Sequence, residues 1–254
     1  MTKARTPAGA PRRGYRRALL KLSGEGLAGK DGRLDAGVVD ALASDLRELL
    51  AGGRQIAIVV GGGNYLRGSQ LEGINRAVAD QMGMLATAMN GLALQDVLER
   101  KGIETRVQSA VNIADFCEPF IRRRCIRHLE KRRVVILVAG TGNPFFSTDT
   151  AAALRASEIG ADCLLKATQV DGVYSADPKL DAKAQRFERL AYRDVISRKL
   201  KVMDTAAVVL CDENAIPIVV FDLHERGNLV RAISGEHVGT LISEAAAAPT
   251  RGRS

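Results

Sequence analysis

Glycine-containing turns follow three apolar segments of the chain. Residues 19–23 run into Gly24 and Gly26, residues 56–60 into Gly61, Gly62 and Gly63, and residues 134–139 into Gly140 and Gly142. Glycine lets backbone N–H groups approach an anion closely, and successive N–H groups of this kind form nests that bind phosphate. Three such turns predict a site for a polyphosphate or for two phosphorylated ligands. Ordinary tight turns, which also favour glycine, are the alternative.

The two common nucleotide-binding loops do not fit these turns. Residues 24–31 read GEGLAGKD, but Asp31 stands where the G-x-x-x-x-G-K-[ST] loop needs a hydroxyl for Mg²⁺. Residues 61–66 read GGGNYL, and Leu66 replaces the third glycine of the dinucleotide loop. The sequence also lacks the G-x-S-x-G, H-E-x-x-H and protein-kinase H-R-D motifs. We therefore predict a nucleotide-binding protein that uses a different phosphate loop.

Three charged side chains near these turns are candidates for ligand contacts. Lys21 ends an apolar run, where a lysine is costly unless it meets an anion or reaches solvent. Arg67 follows the second turn, and its guanidinium matches a phosphate in bidentate fashion, although a surface arginine is the alternative. Asp80 interrupts an apolar helical segment, which indicates either a polar ligand or an exposed or capping position.

Strand-like and helical patterns alternate along the chain. The predicted strands span residues 18–22, 55–60, 105–108, 134–139, 162–167 and 216–221, and the predicted helices span residues 36–51, 74–101, 115–131, 148–159 and 205–214. This alternation predicts βαβ units, and runs that are apolar throughout predict strands covered on both faces. We expect an α/β fold, a three-layer α/β/α sandwich around a mainly parallel central sheet. Ligands of such sheets bind beyond the carboxyl ends of the strands, where the glycine turns lie.

The formal net charge of +8 belongs to the two ends of the chain. Residues 1–17 and 251–254 contain eight basic residues and no acidic residue, so the rest of the sequence is balanced. We expect a disordered basic leader at residues 1–14, one folded domain at residues 15–244 and a disordered tail at residues 245–254. Such tails are usually solvated, and weak binding of a polyanion is the alternative. No specific nucleic-acid site is expected.

A second basic run falls on the predicted fourth helix and just after it. It comprises Arg122, Arg123, Arg124, Arg127, Lys131, Arg132 and Arg133. The run lacks the interleaved aromatic side chains on which single-stranded bases stack. A solvated helix face or a subunit contact is therefore the prediction, and an RNA-binding patch is the alternative.

The cysteines and the apolar segments indicate the compartment. Cys117, Cys125, Cys163 and Cys211 form no C-x-x-C pair and have no histidine at ligand spacing, so neither a metal site nor a redox motif is predicted. The sequence contains no apolar run long enough for a membrane span, and its basic N-terminus lacks the apolar core of a signal peptide. We expect a cytoplasmic protein without a membrane partner.

Several longer segments resemble the bacterial UMP kinase (uridylate kinase) family of the amino acid kinase superfamily. They are KLSGE at 21–25, GGGNYLRG at 61–68, ADQMGMLATAMNGLAL at 79–94, VILVAGTGNPFFSTDTAA at 135–152, LKATQVDGVYSADP at 165–178 and KVMDTAA at 201–207. Among these, TGNPFFSTD and the DQMG segment are specific to the UMP-using branch. Ala79 and Gln169 depart from the family pattern, in which Gly, and Lys or Asn, are common at those positions.

The resemblance implies an amino acid kinase fold and a nucleoside monophosphate kinase. Such an enzyme transfers the γ-phosphoryl group of ATP, carried with Mg²⁺, to UMP. A phosphate monoester has a second pKa of about 6, so UMP is largely a dianion at pH 7 and needs no general base. Catalysis then consists of aligning two anions and neutralising their charge. A carbamate, acetylglutamate or aspartate kinase of the same superfamily and a non-catalytic nucleotide-binding regulator are the alternatives.

The resemblance also implies residue roles. The implied ATP contacts are Lys21, Leu22, Ser23, Gly24, Gly63, Arg67, Thr168, Tyr174 and Asp177. The implied UMP contacts are Gly62, Asp80, Thr141, Gly142, Asn143, Pro144, Phe145, Phe146, Ser147 and Thr148. The implied catalytic group is Lys21, Arg67, Lys166, Asp149 and Asp204, with the two carboxylates orienting the lysines or Mg²⁺. Independently of the family, Ser147 or Thr148 is expected to cap the helix that follows.

Assembly and regulation follow from the resemblance alone. It implies a homohexamer built from dimers, with GTP as an activator and UTP as an inhibitor. The stretch associated with the GTP response comprises Gly29, Lys30, Asp31, Gly32, Arg33 and Leu34.

Overall fold

The computed structural model describes residues 14–29, 31–66, 73–176, 181, 183–200 and 202–244. The predicted leader, apart from Gly14, and the predicted tail at residues 245–254 lie outside these residues, as do Lys30, Arg67 and Asp177.

The strands are β1 (Arg17–Leu22), β2 (Gln55–Val60), β3 (Thr105–Ser109), β4 (Glu118–Pro119), β5 (Val134–Val138), β6 (Cys163–Thr168), β7 (Val173–Tyr174), β8 (Arg186–Phe187), β9 (Arg189–Ala191), β10 (Ile218–Asp222) and β11 (Thr240–Ser243). The helices are α1 (Gly24–Leu27), α2 (Ala36–Ala51), α3 (Arg76–Arg100), α4 (Arg122–Glu130), α5 (Thr148–Ile159), α6 (Tyr192–Ser197), α7 (Thr205–Glu213) and α8 (Asn228–Ser234).

A central sheet organises the molecule. Within the described residues it has nine strands, in the order β4-β3-β5-β2-β1-β6-β10-β11-β9. Every neighbouring pair is parallel except β10 and β11, which are antiparallel. The mainly parallel α/β sheet predicted from the sequence is therefore confirmed. Strands β7 and β8 form a separate antiparallel pair.

Two apolar layers cover the sheet, one on each face. In β2, Ile56 and Ile58 pack into the layer with α2, α3 and α8, whereas Ala57 and Val59 pack into the layer with α4, α5, α6 and α7. All six residues of β2 are buried. Because both faces are covered, this strand is apolar throughout instead of alternating with polar residues.

Close helix packing brings α3 and α5 against the sheet. A Cβ built on Gly91 of α3 would lie 2.5 Å from Val138 Cγ1, so glycine permits this approach. On α5, the buried Ala152, Ala153 and Ala156 form a small-residue face against the strands. The carboxyl ends of β1, β2 and β6 consequently lie near α3 and the N-terminus of α5.

The predicted helix at residues 115–131 is wrong over residues 115–121. Helix α4 begins at Arg122, after strand β4 and the exposed Ile121. Pro119 explains the difference, since the residue before a proline is disfavoured in helical conformation. The arginines at 122, 123, 124 and 127 are exposed in this chain, and Arg133 pairs with Glu104 at 2.6 Å.

The sequence did not predict the short elements of the C-terminal half. Strands β7, β8 and β9 have two or three residues each, too few for a periodic pattern. Among the described residues, every helix is too short or too polar to cross a bilayer.

Candidate functional site

Two lysines lie side by side on adjacent strands. Strands β1 and β6 are parallel, and Lys21 and Lys166 are direct partners in their register. Neighbours in register project from the same face of a sheet. Lys21 is only 7% exposed, so its charge is held largely away from water.

A single carboxylate lies between the two ammonium groups. Asp149 Oδ1 is 2.9 Å from Lys21 Nζ, and Asp149 Oδ2 is 2.7 Å from Lys166 Nζ. Lys166 also donates a hydrogen bond to the carbonyl of Val202. Asp149 lies in the first turn of α5, and Ser147 caps that helix by accepting hydrogen bonds from the backbone N–H groups of Asp149 and Thr150. The capping predicted from the sequence is confirmed for Ser147.

Burial and charge act in opposite directions on the carboxylate. Burial raises the pKa of Asp149, but the charges of Lys21 and Lys166 outweigh burial and hold it below the usual value. Burial lowers the pKa of Lys166, and the neighbouring charge of Lys21 adds to that lowering while Asp149 opposes it. The cluster therefore carries two cations and one anion, an arrangement that favours a further anionic group beside it.

One cavity of about 300 Å³ opens beside Lys21. Its lining includes the backbone of both N-terminal glycine turns and one face of α3, and consists of Lys21, Ser23, Gly24, Glu25, Gly61, Gly62, Gly63, Leu66, Ala79, Asp80, Gly83, Met84, Thr87, Gly140, Phe146, Ser147 and Thr148. A Cβ on Gly62 would lie 2.9 Å from the carbonyl oxygen of Gly83. Glycine is thus required at Gly62 by the close approach of the turn to α3.

Asp80 of helix α3 accepts a hydrogen bond from the loop after β5 and so holds that loop against the helix. Its Oδ2 accepts a hydrogen bond of 2.8 Å from the backbone N–H of Phe145, and its carboxylate also pairs with Arg76 at 3.0 Å. Phe145 has a φ of 71°, an uncommon conformation for a bulky residue. The loop is therefore held in a definite shape by the same carboxylate that lines the cavity.

A second cavity of about 530 Å³ opens on the Lys166 side of the cluster. Its lining is largely apolar and consists of Lys166, Thr168, Val170, Gly172, Val173, Tyr174, Ser175, Ala176, Arg198, Lys199, Leu200, Val202 and Val220. Tyr174 donates its hydroxyl hydrogen to Asp171 at 2.6 Å, and this bond raises the pKa of Tyr174. Lys21 in one cavity and Lys166 in the other are joined through Asp149.

The structure brings most of the residues predicted for the site to these two cavities. Lys21, Ser23, Gly24, Gly62, Gly63, Asp80, Phe146, Ser147 and Thr148 line the first, whereas Lys166, Thr168 and Tyr174 line the second. Leu22 is buried in the core and lines neither cavity. Residues 141–145 belong to the loop fastened by Asp80 but do not line the first cavity. Asp204 is the exposed N-cap residue of α7, and its charge partly opposes the burial that lowers the pKa of Lys166.

The described residues of the stretch predicted to respond to GTP, Gly29 and residues 31–34, lie near the second glycine turn. Ala28 and Leu34 form an isolated antiparallel bridge, and Gly29 N–H donates to the carbonyl of Arg33. The carbonyl of Gly32 accepts a hydrogen bond of 2.9 Å from Asn64.

Sequence reasoning missed several residues at the site. Glu25, Thr87, Arg198 and Lys199 line the cavities, although the sequence analysis gave none of them a role. Thr87 Oγ1 accepts a hydrogen bond from Ala139 N–H at 2.7 Å and so holds the end of β5. Asn90 could have indicated a structured polar contact, because it interrupts an apolar helical segment and buried amides need hydrogen-bond partners.

Metal binding by the protein alone has no support in the side-chain arrangement. Across the described part of the chain, His, Cys, Asp and Glu side chains nowhere converge in groups of three. Both oxygens of Asp149 face lysines. A divalent cation fits this site only when anionic ligands supply most of its coordination.

Comparison with known proteins gives consistent matches over almost the whole chain. The model of the amino acid kinase family matches residues 16–222. A uridylate kinase of Paramagnetospirillum magneticum is 56% identical over 232 residues, which are 90% of this chain and 97% of that protein. The crystal structure of UMP kinase from Bacillus anthracis superposes with a TM-score of 0.88 at 39% identity, covering 92% of this chain and 98% of that one. UMP kinase from Ureaplasma parvum gives 0.84 at 35% identity, covering 90% and 99%.

The Asp149 ion pairs predict a pH-dependent stability. The folded-state pKa of Asp149 is lowered, so its contribution is fully present above the unfolded-state pKa of about 3.9 and is lost as the pH falls through the folded-state pKa. Asp149→Asn leaves two buried lysines without their anion. We expect it to lower the free energy of unfolding by about 3–5 kcal/mol at pH 7, and we expect the difference from wild type to shrink below pH 4.

Urea unfolding of both proteins at pH 7, 5 and 3.5 measures this difference. Asp96→Asn is the matched control, because Asp96 pairs with Arg100 on the surface of α3 and both side chains are largely exposed. The control should change stability little at every pH. A loss in Asp149→Asn that is equally large at all three pH values would contradict the assignment.

Proposed function

The chain belongs to the amino acid kinase family, and we propose that within this family it is a UMP kinase, an ATP:UMP phosphotransferase. It transfers the γ-phosphoryl group of ATP to the phosphate of UMP, giving UDP and ADP in pyrimidine nucleotide biosynthesis. The observation that carries the proposal is the pair of cavities on either side of the Lys21–Asp149–Lys166 cluster. A transfer between two nucleotides needs two binding cavities that meet at a cationic centre.

We assign the second cavity to the nucleoside of ATP and the first to UMP together with the phosphates. The larger, mostly apolar cavity suits an adenine ring, with Thr168 and Tyr174 at its edge. The first cavity contains Asp80, Ser147 and Thr148, whose oxygens suit a ribose and a pyrimidine, and backbone amides of the glycine turns, which suit phosphates. Thr141, Gly142, Asn143, Pro144 and Phe145 belong to the loop that would close over the UMP.

The chemistry requires alignment and neutralisation of charge. UMP supplies its own nucleophile, since its phosphate is largely a dianion at pH 7. Lys21 faces the transferred group from the first cavity, and Lys166 approaches it from the second. Asp149 touches both ammonium groups and so fixes their separation, as a positioning residue. Fixed cations in a site shielded from water stabilise the charge of the transition state more than mobile ones do.

The two predicted contacts outside the described residues keep their proposed roles. Arg67 follows the glycine turn of the first cavity and would bind a phosphate through its guanidinium. Asp177 follows the lining residue Ala176 and would bind on the ATP side.

Kinase activity implies ATP together with a divalent metal, and we assign that metal as Mg²⁺. Both oxygens of Asp149 are engaged by lysines, which fits an ion held mainly by the phosphates of ATP. When bound with ATP, Mg²⁺ would neutralise part of the charge on the phosphates. We also propose that the protein acts in the cytoplasm.

A choice of acceptors tests the proposed activity. Uracil offers an N3–H donor and two carbonyl acceptors, and cytosine reverses this pattern at N3 and at its exocyclic amino group. Polar groups that face the wrong pattern stay unpaired, so we expect kcat/KM for UMP to exceed that for CMP by a factor on the order of 10⁴. A coupled assay of ADP release measures UMP, CMP, dUMP, carbamate, acetylglutamate and aspartate in parallel.

Lys21→Met is the variant that links this activity to the cluster. Removing one charge-stabilising group costs on the order of 10²–10³ in kcat, while the protein should remain folded.

Turnover of CMP or of an amino acid at the rate of UMP would defeat the proposed reaction. Failure of all acceptors with intact nucleotide binding would instead favour a regulator without catalysis.

Self-association is the second part of the proposal, and we propose a homohexamer built from dimers. Ile74, Val78, Met82, Leu85 and Met89 are exposed and recur every three or four residues along α3 and its approach. This spacing puts them on one helix face. A continuous apolar face of this kind marks an interaction site, and a two-fold axis lets the same face pair with itself.

Charge on that face should break the dimer. We expect light scattering to give a mass six times that of the chain for wild type and a smaller assembly for Leu85→Lys/Met89→Lys, because buried unpaired charges oppose association. Val209→Lys is the control, since Val209 is an exposed apolar residue on α7, away from this face. A monomeric wild type, or an unchanged double variant, would contradict the proposed interface.

The same assay addresses regulation. We propose GTP as an activator and UTP as an inhibitor, with residues 29–34 in the responding stretch. Titrating GTP or UTP at fixed concentrations of ATP and UMP measures the effect of each on the reaction rate. A rate that neither nucleotide changes would contradict the proposed regulation.

A further inference from the structure

Two asparagine side chains form a reciprocal pair beneath the second glycine turn. Asn90 Nδ2 donates to Asn64 Oδ1 at 2.7 Å, and Asn64 Nδ2 donates to Asn90 Oδ1 at 3.2 Å. Asn90 is completely buried in α3, and Asn64 directly follows Gly63. Reversing either amide would set oxygen against oxygen and nitrogen against nitrogen, so the pair has one satisfactory orientation.

The remaining donor capacity of the pair binds backbone on both sides. Asn90 Nδ2 also donates to the carbonyl of Gly61 at 2.7 Å, and Asn64 Nδ2 donates to the carbonyl of Gly32 at 2.9 Å. The pair thus ties α3 to the second glycine turn and to the residue 29–34 stretch. Neither asparagine lines either cavity.

The first glycine turn is fixed by contact with the same group. A Cβ on Gly24 would lie 2.4 Å from Asn64 Oδ1 and 2.8 Å from the backbone nitrogen of Gly63. The turns after β1 and β2 therefore touch each other, with Asn64 packed against both. Gly24, Gly61, Gly62 and Gly63 all line the first cavity, so the separation of the two turns sets the spacing of the backbone there.

We propose that Asn64 and Asn90 are positioning residues of the phosphate site. The pair holds the two glycine turns at one spacing, so that their N–H groups are aligned before the phosphates bind. Sites that are aligned in advance lose no free energy to reorganisation during the reaction. The inference rests on the proposed kinase function for its kinetic readout, and it also predicts the affinity for ATP alone.

Asn90→Leu and Asn64→Leu each remove one amide and keep the branched shape of the side chain. We expect each to lower kcat/KM for UMP by about 10- to 100-fold, because small displacements of catalytic groups have effects of that size. The double variant should lose no more than the more severely affected single variant, since either change already breaks the pair. Gln95→Leu is the matched control: Gln95 is an amide on the same helix, bonded to Thr105 at 3.2 Å and away from the turns.

Calorimetric titration with ATP separates positioning from a loss of folded protein. We expect the variants to bind ATP at the wild-type stoichiometry with a weaker Kd, which a merely destabilised protein would not show. If Asn90→Leu does not fold, Asn64→Leu provides the same test, because Asn64 is only half-buried. Additive losses in the double variant, kcat/KM within twofold of wild type, or equal losses in Gln95→Leu would each overturn the proposal. If the wild-type protein binds ATP but does not phosphorylate UMP, the proposed reaction is contradicted. The ATP affinity of the asparagine variants relative to wild type would then decide whether the pair has the positioning role.

Discussion

The carboxylate of Asp149, held between the buried ammonium group of Lys21 and the partly buried one of Lys166, is the interaction on which the site depends. Two lysines in register on neighbouring strands would repel each other in a place with little water. Asp149 offsets this repulsion with one contact to each lysine, and the capped first turn of α5 holds Asp149 in place. The arrangement keeps one net positive charge at the junction of the two cavities, where a phosphoryl group would pass between nucleotides.

Helix α3 supplies the second constraint. On the side facing the cavity, Asp80, Thr87 and Asn90 each hold a different loop: the segment at Phe145, the end of β5 and the second glycine turn. Gly91 lets the helix lie against β5, and Gly62 lets the glycine turn lie against the helix. The opposite face of α3 presents the apolar residues of the proposed dimer contact. A second copy of the chain bound at this face would therefore contact the same helix that positions the acceptor loops.

The sequence predicted the architecture well because both faces of the sheet are covered, which makes strands such as β2 apolar throughout and easy to recognise. Pro119 and the strands of two or three residues gave no periodic signal, so the start of α4 and strands β7, β8 and β9 were missed, whereas α7 and β10 were predicted at residues 205–214 and 216–221. Lys21 and Asp80 were found from their unusual surroundings. For Asp149, the resemblance implied a carboxylate that orients the lysines or Mg²⁺, but not that it contacts both lysines at once. The pairing of Asn64 with Asn90 was not predicted at all. Both contacts join residues that are far apart in sequence and depend on strand register and helix placement.

The most direct test of the account is the pKa of Asp149 itself. A carbon-13 NMR titration of the aspartate carboxyl groups, with the Asp149 signal assigned by its absence in Asp149→Asn, measures that pKa in wild type and in Lys21→Met. We predict a wild-type pKa below the ordinary value of about 3.9, because two cations outweigh burial, and a higher pKa in Lys21→Met, where one cation is gone. A wild-type pKa at or above the ordinary value, unchanged by Lys21→Met, would contradict the central role of this carboxylate.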